Sequence, residues 1–247
     1  MTGIVGVIPS RWGSTRFPGK SLYPILGKPL LQWVVERARQ AQALDRLLVA
    51  TDDERIRIAA RKFGADVVMT SPEHPSGTDR IDEAVRGLAA DVVINIQGDE
   101  PLIDPALIDE LGRTLASDPQ WDMATAAAPI RTAYEMEAPS VVKVVRAADG
   151  TALYFSRATI PFVRDSATPM GLHWRHIGIY AYRRTFLERL VKEPPCVLEK
   201  TERLEQLRAL WLGCRMKVLE TNDVGLGVDM PEDVCRAEQA LKKAGLA

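Results

Sequence analysis

Three stretches of the chain carry side chains suited to chemistry on a charged phosphate compound. The first, Pro9-Ser10-Arg11-Trp12-Gly13-Ser14-Thr15-Arg16-Phe17-Pro18-Gly19-Lys20, follows the apolar run Ile4 to Ile8. Ligands of open α/β sheets sit at the carboxyl ends of strands, so a first loop carrying Gly13, Gly19, Ser14, Thr15, Arg11, Arg16 and Lys20 is placed to hold a polyanion. Its spacing is not that of a dinucleotide fingerprint or a Walker loop: Gly19-Lys20-Ser21 lacks the upstream glycine, and Pro24 follows closely. The second stretch, Gln97-Gly98-Asp99-Glu100-Pro101, comes directly after the apolar run Val92 to Ile96. Carboxylates on a glycine turn suit Mg²⁺, which takes one or two of them and completes its shell with substrate phosphate oxygens. Asp99 is the better ligand of the two, because Pro101 restricts the backbone of Glu100. The third is Gly225-Leu226-Gly227-Val228-Asp229-Met230-Pro231, where Asp229 precedes a proline-led helix and reads equally as an N-cap or a metal ligand.

The elements that must position these groups alternate in the manner of a parallel α/β sheet. Strands are expected at Ile4–Ile8, Leu47–Thr51, Val67–Met69 and Val92–Ile96, the last of them central. Helices are expected to open at Gly27-Lys28-Pro29, with Leu30, Val34, Val35 and Ala38 as the buried stripe, and to run over Glu54 to Phe63, with Gly64 as its stop, and over Asp79 to Leu88. After about residue 130 the rhythm changes, as it does where a lobe interrupts a wound sheet. Val141 to Phe155 reads as a hairpin about Asp149-Gly150, Ile177 to Tyr182 as a strand, and Thr185 to Lys192 as a helix. Further helices are expected over Glu202 to Leu212 and Pro231 to Ala244, with a strand at Lys217–Leu219 between them. The whole chain, 1–247, reads as one domain in which about 130–185 forms a smaller β-rich lobe.

Composition bounds the function. The chain has 247 residues, of which 46% are hydrophobic and 26% charged, enough for a sizeable core and incompatible with disorder or a collagen-like repeat. Lys and Arg number 32 against 33 Asp and Glu, so there is no global basic field for nucleic acid or an anionic membrane. Cys196, Cys214 and Cys235 form no paired motif and read as reduced, buried thiols of a cytoplasmic protein. No stretch is apolar for the length of a membrane span, and the start of the chain has no leader pattern.

The motifs resemble those of the acid-sugar CMP-synthetases, and most closely the cytidylyltransferases that activate 3-deoxy-manno-octulosonate (Kdo). The resemblance is carried by the first loop, Gly27-Lys28-Pro29, Ser76-Gly77-Thr78-Asp79-Arg80, Asn95 to Pro101, Tyr154 to Pro161, His176 to Tyr180, Leu204 to Arg208, and Gly227 to Asp233. These blocks span nearly the whole chain; Ser156 to Pro161 and His176 to Tyr180 point to Kdo rather than sialic acid. Ser10, Trp12 and Met230 depart from the family pattern, and none of them removes a charge.

The resemblance implies a Rossmann-like, mostly parallel sheet flanked by helices, of the nucleotide-diphospho-sugar transferase type, with an inserted dimerisation lobe. It implies transfer of CMP from CTP to the anomeric hydroxyl of Kdo, with Mg²⁺ as cofactor, release of pyrophosphate and a role in lipopolysaccharide biosynthesis. Arg11 and Lys20 would hold the triphosphate, and Asp99 and Asp229 the metal. Ser14, Arg16, Arg80 and Gln97 would complete the CTP site, while Gln97, Arg157, His176, Tyr180 and Glu205 would read the sugar. Each of several has a plainer alternative: Arg80 and Glu205 as helix-surface charges, Tyr180 and His176 as core residues. A homodimer is expected, since a projecting hairpin leaves strand edges to cover. Activation of an amino-Kdo or a sialic acid is the alternative assignment.

Overall fold

The computed structural model describes residues 3–13, 16–164, 171–223 and 225–246; Ser14, placed above in the CTP site, lies outside them. The chain opens with β1 (Ile4–Ser10), a short antiparallel pair β2 (Pro24–Ile25) and β3 (Lys28–Pro29), and α1 (Leu30–Ala38). It continues through β4 (Arg46–Thr51), α2 (Glu54–Lys62), β5 (Asp66–Met69), α3 (Gly77–Ala84), β6 (Val92–Asn95), α4 (Pro105–Ser117) and β7 (Met123–Pro129). Then come α5 (Ala133–Glu137), β8 (Lys143–Arg146), β9 (Ala152–Ser156), β10 (Trp174–Arg183) and α6 (Arg184–Leu190). The last elements are α7 (Val197–Glu202), α8 (Gln206–Trp211), β11 (Met216–Glu220) and α9 (Asp233–Lys243).

The main sheet has the order β11-β7-β10-β6-β1-β4-β5. β1 pairs in parallel with β4 and β6, β4 with β5, and β7 with β11, while β10 runs antiparallel between β6 and β7. The expected mostly parallel sheet with a central β6 is therefore observed. Its strands are apolar on both faces because helices cover both. Along β1 the alternation sends Ile4 and Ile8 to a cluster with Leu31, Ile56, Leu107 and Ile108. Val5 and Val7 go to the opposite cluster, with Ile81, Phe186, Leu187 and Leu207. The hairpin β8–β9 is joined to the sheet through β8, which pairs antiparallel with the first residues of β10.

Three local expectations are corrected. The helix expected over Glu202 to Leu212 is shorter, α8 beginning only at Gln206; Glu202 instead ends α7, where Arg203 takes a left-handed conformation with φ 53°. α3 begins earlier than expected, at Gly77, because the Ser76 hydroxyl accepts the N–H groups of Thr78 and Asp79 and caps the helix there. Of the three free cysteines only Cys214 is buried; Cys235 is exposed.

Candidate active site

The carboxyl end of β1 feeds a loop that folds back on itself. Ser10 and Ser21 join its two ends by a buried hydroxyl–hydroxyl bond of 2.8 Å. Gly19 turns the chain with φ +71° and donates its N–H to the Trp12 carbonyl at 3.2 Å. A side chain at Gly19 would place Cβ 3.0 Å from the Trp12 ring, which itself carries the Arg55 guanidinium at 3.5 Å from its centroid. This turn aims Lys20 across the sheet. Its Nζ lies 2.6 Å from Asp99 Oδ2, 3.2 Å from Asp229 Oδ1 and 3.2 Å from the Val228 carbonyl. Arg16 joins the same carboxylate, Nη2 to Asp229 Oδ1 at 3.1 Å.

Asp99 reaches this point because the turn after β6 passes close to β1. A Cβ at Gly98 would stand 3.1 Å from the Pro9 carbonyl, so glycine allows an approach that a side chain would push apart. Glu100, the second carboxylate of the turn, has its pKa pushed up to about 7, by burial first and by the Asp99 charge second. The two readings of Asp229 are separated by its neighbour: α9 starts at Asp233, and the Asp229 carboxylate receives Lys20 and Arg16 rather than capping the helix.

Around this meeting point lies a cavity of about 290 Å³. Arg11, Arg16 and Lys20 line it from the first loop, Gln97, Gly98 and Asp99 from the end of β6, Asp229 from the C-terminal segment, and Ser76, Gly77 and Arg80 from the start of α3. Arg80 is buried, its exposure only 4%, and pairs with Asp52 Oδ2 at 3.0 Å and with the Thr70 hydroxyl. The helix-surface reading of Arg80 is thereby excluded. Ser76, Gly77 and His74 were not singled out as site residues from sequence. The signal that could have found them is Ser76-x-x-Asp79, an N-cap pattern that fixes where α3 begins.

The residues expected to read the sugar fall in two places. Tyr180 pairs across the sheet with Asn95, whose side-chain carbonyl accepts from the Gln97 amide at 3.4 Å. The Tyr180 ring lies 5.3 Å from that of His176, and His176 meets Phe155 edge-on at 5.0 Å. A register shift in β10 between Ile177 and Tyr180 changes its pairing with β7 at this point. Glu205 accepts a hydrogen bond from the Thr78 hydroxyl, one residue beyond the cavity-lining Gly77. Burial lowers the His176 imidazole to about 3, so it stands neutral, next to the Thr125 hydroxyl at 3.0 Å. Arg157 is held apart from the cavity: Nε donates to the Glu202 carbonyl at 2.8 Å and Nη1 to that of Pro139 at 2.9 Å.

Among the described residues, no group of three or more His, Cys, Asp and Glu is arranged to hold a metal. Asp99 and Asp229 do converge on one cation, the Lys20 ammonium, which shows that their oxygens can share a positive charge. A two-carboxylate set of hard oxygens fits Mg²⁺, whose remaining ligands come from water and substrate oxygens.

Sheet and pocket together define the class, a nucleotidyltransferase-type α/β protein with a polyanion cavity at the strand ends. A family profile described as "Cytidylyltransferase" matches residues 5–218. The 3-deoxy-manno-octulosonate cytidylyltransferase of Bdellovibrio bacteriovorus is 49% identical over 98% of this chain and 99% of its own. That of Pseudomonas fluorescens is 50% identical over 96% and 97%. A solved CMP:2-keto-3-deoxy-manno-octonic acid synthetase complexed with CTP superposes with a TM-score of 0.94 at 40% identity, over 98% of this chain and 100% of that one. The chain belongs to the 3-deoxy-manno-octulosonate cytidylyltransferase family. A 4-diphosphocytidyl-2C-methyl-D-erythritol synthase from Anaerococcus prevotii shares the fold alone, with a TM-score of 0.65 at 13% identity over 98% of this chain and 99% of that one.

Proposed function

We propose that the protein transfers CMP from CTP to the anomeric hydroxyl of Kdo, yielding CMP-Kdo and pyrophosphate. The observation that carries this reading is the convergence of Lys20, Asp99 and Asp229 in a cavity lined by Arg11, Arg16 and Arg80. Nucleotidyl transfer is driven by positioning and by neutralising phosphate charge, and this cavity supplies both. Arg11 and Lys20 bind the triphosphate and take up the charge of the departing pyrophosphate. Ser76 and Gly77 at the start of α3 border the nucleotide, with Arg16, Arg80 and Gln97. Ser14 completes the first loop in this reading.

Asp99 and Asp229 are the residues that would hold Mg²⁺. Held there, the ion would supply charge neutralisation for phosphate and Lewis-acid activation of a hydroxyl. No histidine base is needed, and the neutral, half-buried His176 suits a sugar contact instead. Gln97, Tyr180, His176 and Glu205 border the acceptor side, with Arg157 at its far end.

The same reading places the enzyme in the cytoplasm, feeding lipopolysaccharide synthesis; among the described residues no helix is long and apolar enough to cross a membrane. It also makes the protein a homodimer. Tyr134 at 82% exposure and Phe162 at 86% support this, as does Leu153 on the outer hairpin strand β9. Sedimentation of the purified protein tests the dimer. For the activity, pyrophosphate release is measured with CTP, Mg²⁺ and Kdo, then with other nucleoside triphosphates and other acid sugars. Release that depends on both CTP and Kdo is expected, and an equal rate without Kdo overturns the assignment.

A further inference from the structure

Lys143 opens β8, and its side chain is wholly shielded from solvent. A buried ammonium is costly unless a carboxylate or several dipoles answer it. Among the described residues no Asp or Glu forms an ion pair with Lys143. Its Nζ donates instead to three main-chain carbonyls, Ala138 at 3.1 Å, Val141 at 2.7 Å and Arg157 at 2.7 Å. An ammonium carries three donors, so all are used. Burial, and then the neighbouring Arg157 charge, holds its pKa below the usual lysine range.

The acceptors come from two separate stretches, the turn after α5 and the end of the hairpin. Three more side chains hold this part of the chain: Arg157 Nη1 on the Pro139 carbonyl at 2.9 Å, the Thr159 hydroxyl on that of Met136 at 3.0 Å, and Arg175 Nη1 on Glu135 Oε1 at 3.0 Å. Lys143 pairs across the sheet with Ser156 on one side and Arg175 on the other, at the centre of this set. The main chain of Arg157 is thus gripped at both ends, its N–H by Glu202 Oε2 at 2.9 Å and its carbonyl by Lys143 at 2.7 Å. Among the described residues its guanidinium bonds only to carbonyls, of Pro139, Glu202 and Arg203, and so keeps donors for an acid. A methionine would fill the Lys143 site without desolvation cost, yet it could not fix three carbonyls.

We propose that Lys143 is a positioning residue for the acceptor sugar: it sets the 138–141 turn and the main chain of Arg157, and through the Pro139 carbonyl it orients the Arg157 guanidinium. Lys143 touches no substrate. The proposal rests on the reading of Arg157 as a sugar contact, and the experiment separates the two.

Steady-state kinetics of Lys143→Met and Lys143→Ala are measured with CTP and Kdo varied separately. The KM for Kdo rises on the order of tenfold while that for CTP stays within about twofold. Added propylammonium restores the KM for Kdo in Lys143→Ala, and the bulkier tetramethylammonium does not. Equal losses toward both substrates mark a merely structural lysine and overturn the proposal. Arg157→Ala is run beside them. If it leaves the KM for Kdo unchanged, the reading of Arg157 fails; if it raises that KM and the Lys143 variants do not, the proposal fails alone. Should both Lys143 variants fail to fold, hydrogen exchange of the wild type decides. Slow exchange of 138–141 and 156–158 before sugar is added supports the proposal, and fast exchange that slows only with Kdo overturns it.

Discussion

Asp233 holds Asp229 from behind: its Oδ2 accepts the backbone N–H groups of both Asp229 and Met230, each at 2.9 Å. The residue that starts α9 therefore fixes the carboxylate that faces Lys20. Asp233→Ala leaves those N–H groups to water and frees the segment, at a cost of about 1 kcal/mol. We expect roughly a tenfold loss in kcat/KM, a higher Mg²⁺ requirement and a small fall in Tm. Unchanged Mg²⁺ dependence would show that Asp229 needs no such support.

Asp99→Asn and Asp229→Asn each remove one of two charges that share a cation. Each should slow the reaction on the order of 10²-fold or more, by single-turnover measurement. The double variant should lose much less than the product of the single losses, since the pair acts as a unit. Full activity of Asp229→Asn would refute its place at the metal.

Asp52→Asn leaves the Arg80 guanidinium, only 4% exposed, without its anion. Breaking a buried pair costs about 3 kcal/mol, and Asp52 retains enough exposure to keep the loss at that lower end. Urea unfolding should show this loss at unchanged m-value, and calorimetry should show weaker CTP binding. A midpoint within error of wild type would mean that Thr70 alone satisfies Arg80.

The imidazole of His176 titrates at about 3 in the native protein, against an ordinary value of about 6.5 in the unfolded chain. Between these values the unfolded chain binds a proton that the native state refuses. Stability therefore rises with pH across this window, and His176 adds no slope above it. His176→Gln should flatten unfolding free energy between about pH 4 and 6.5 and leave the shape of the pH–rate profile above pH 7 unchanged. A slope that persists in the variant would assign it to another group.

Gly19→Ala forces a left-handed φ on a residue with Cβ, at a cost of about 1 kcal/mol, and drives that carbon toward Trp12. The ring cannot retreat without disturbing the Arg55 stack. The KM for CTP should rise several-fold, with a shift in tryptophan emission that marks the displaced ring. A normal KM would show that the loop absorbs the methyl group elsewhere.

Much of this site was legible in the chain, because glycines and charges placed just after apolar runs have few other uses. Lys20, Asp99 and the order of the early strands followed from that. Asp229 stood even between two readings, because a cap and a ligand both call for a carboxylate before a helix; its bonds to Lys20 and Arg16, with Asp233 taking the backbone N–H groups, exclude the cap. The late start of α8 was invisible because Leu204, which lies before it, keeps helical spacing with Leu207 and Leu210. Strand β7, Met-Ala-Thr-Ala-Ala-Ala-Pro, has weak strand propensity and is set by its two neighbours in the sheet. The carbonyls around Lys143 and Arg157 lie up to 46 residues away in sequence and leave no local trace.

Strand β10 gives its first two residues to β8 and its last four to β6, and it runs along β7 for most of its length. One backbone thus serves the hairpin and the nucleotide pocket, with no joint between them. The two are not modular: the hairpin cannot be grafted onto another nucleotide-binding sheet without carrying a central strand along. On the proposed reading, specificity for the acceptor and chemistry on the nucleotide are inherited, and engineered, together.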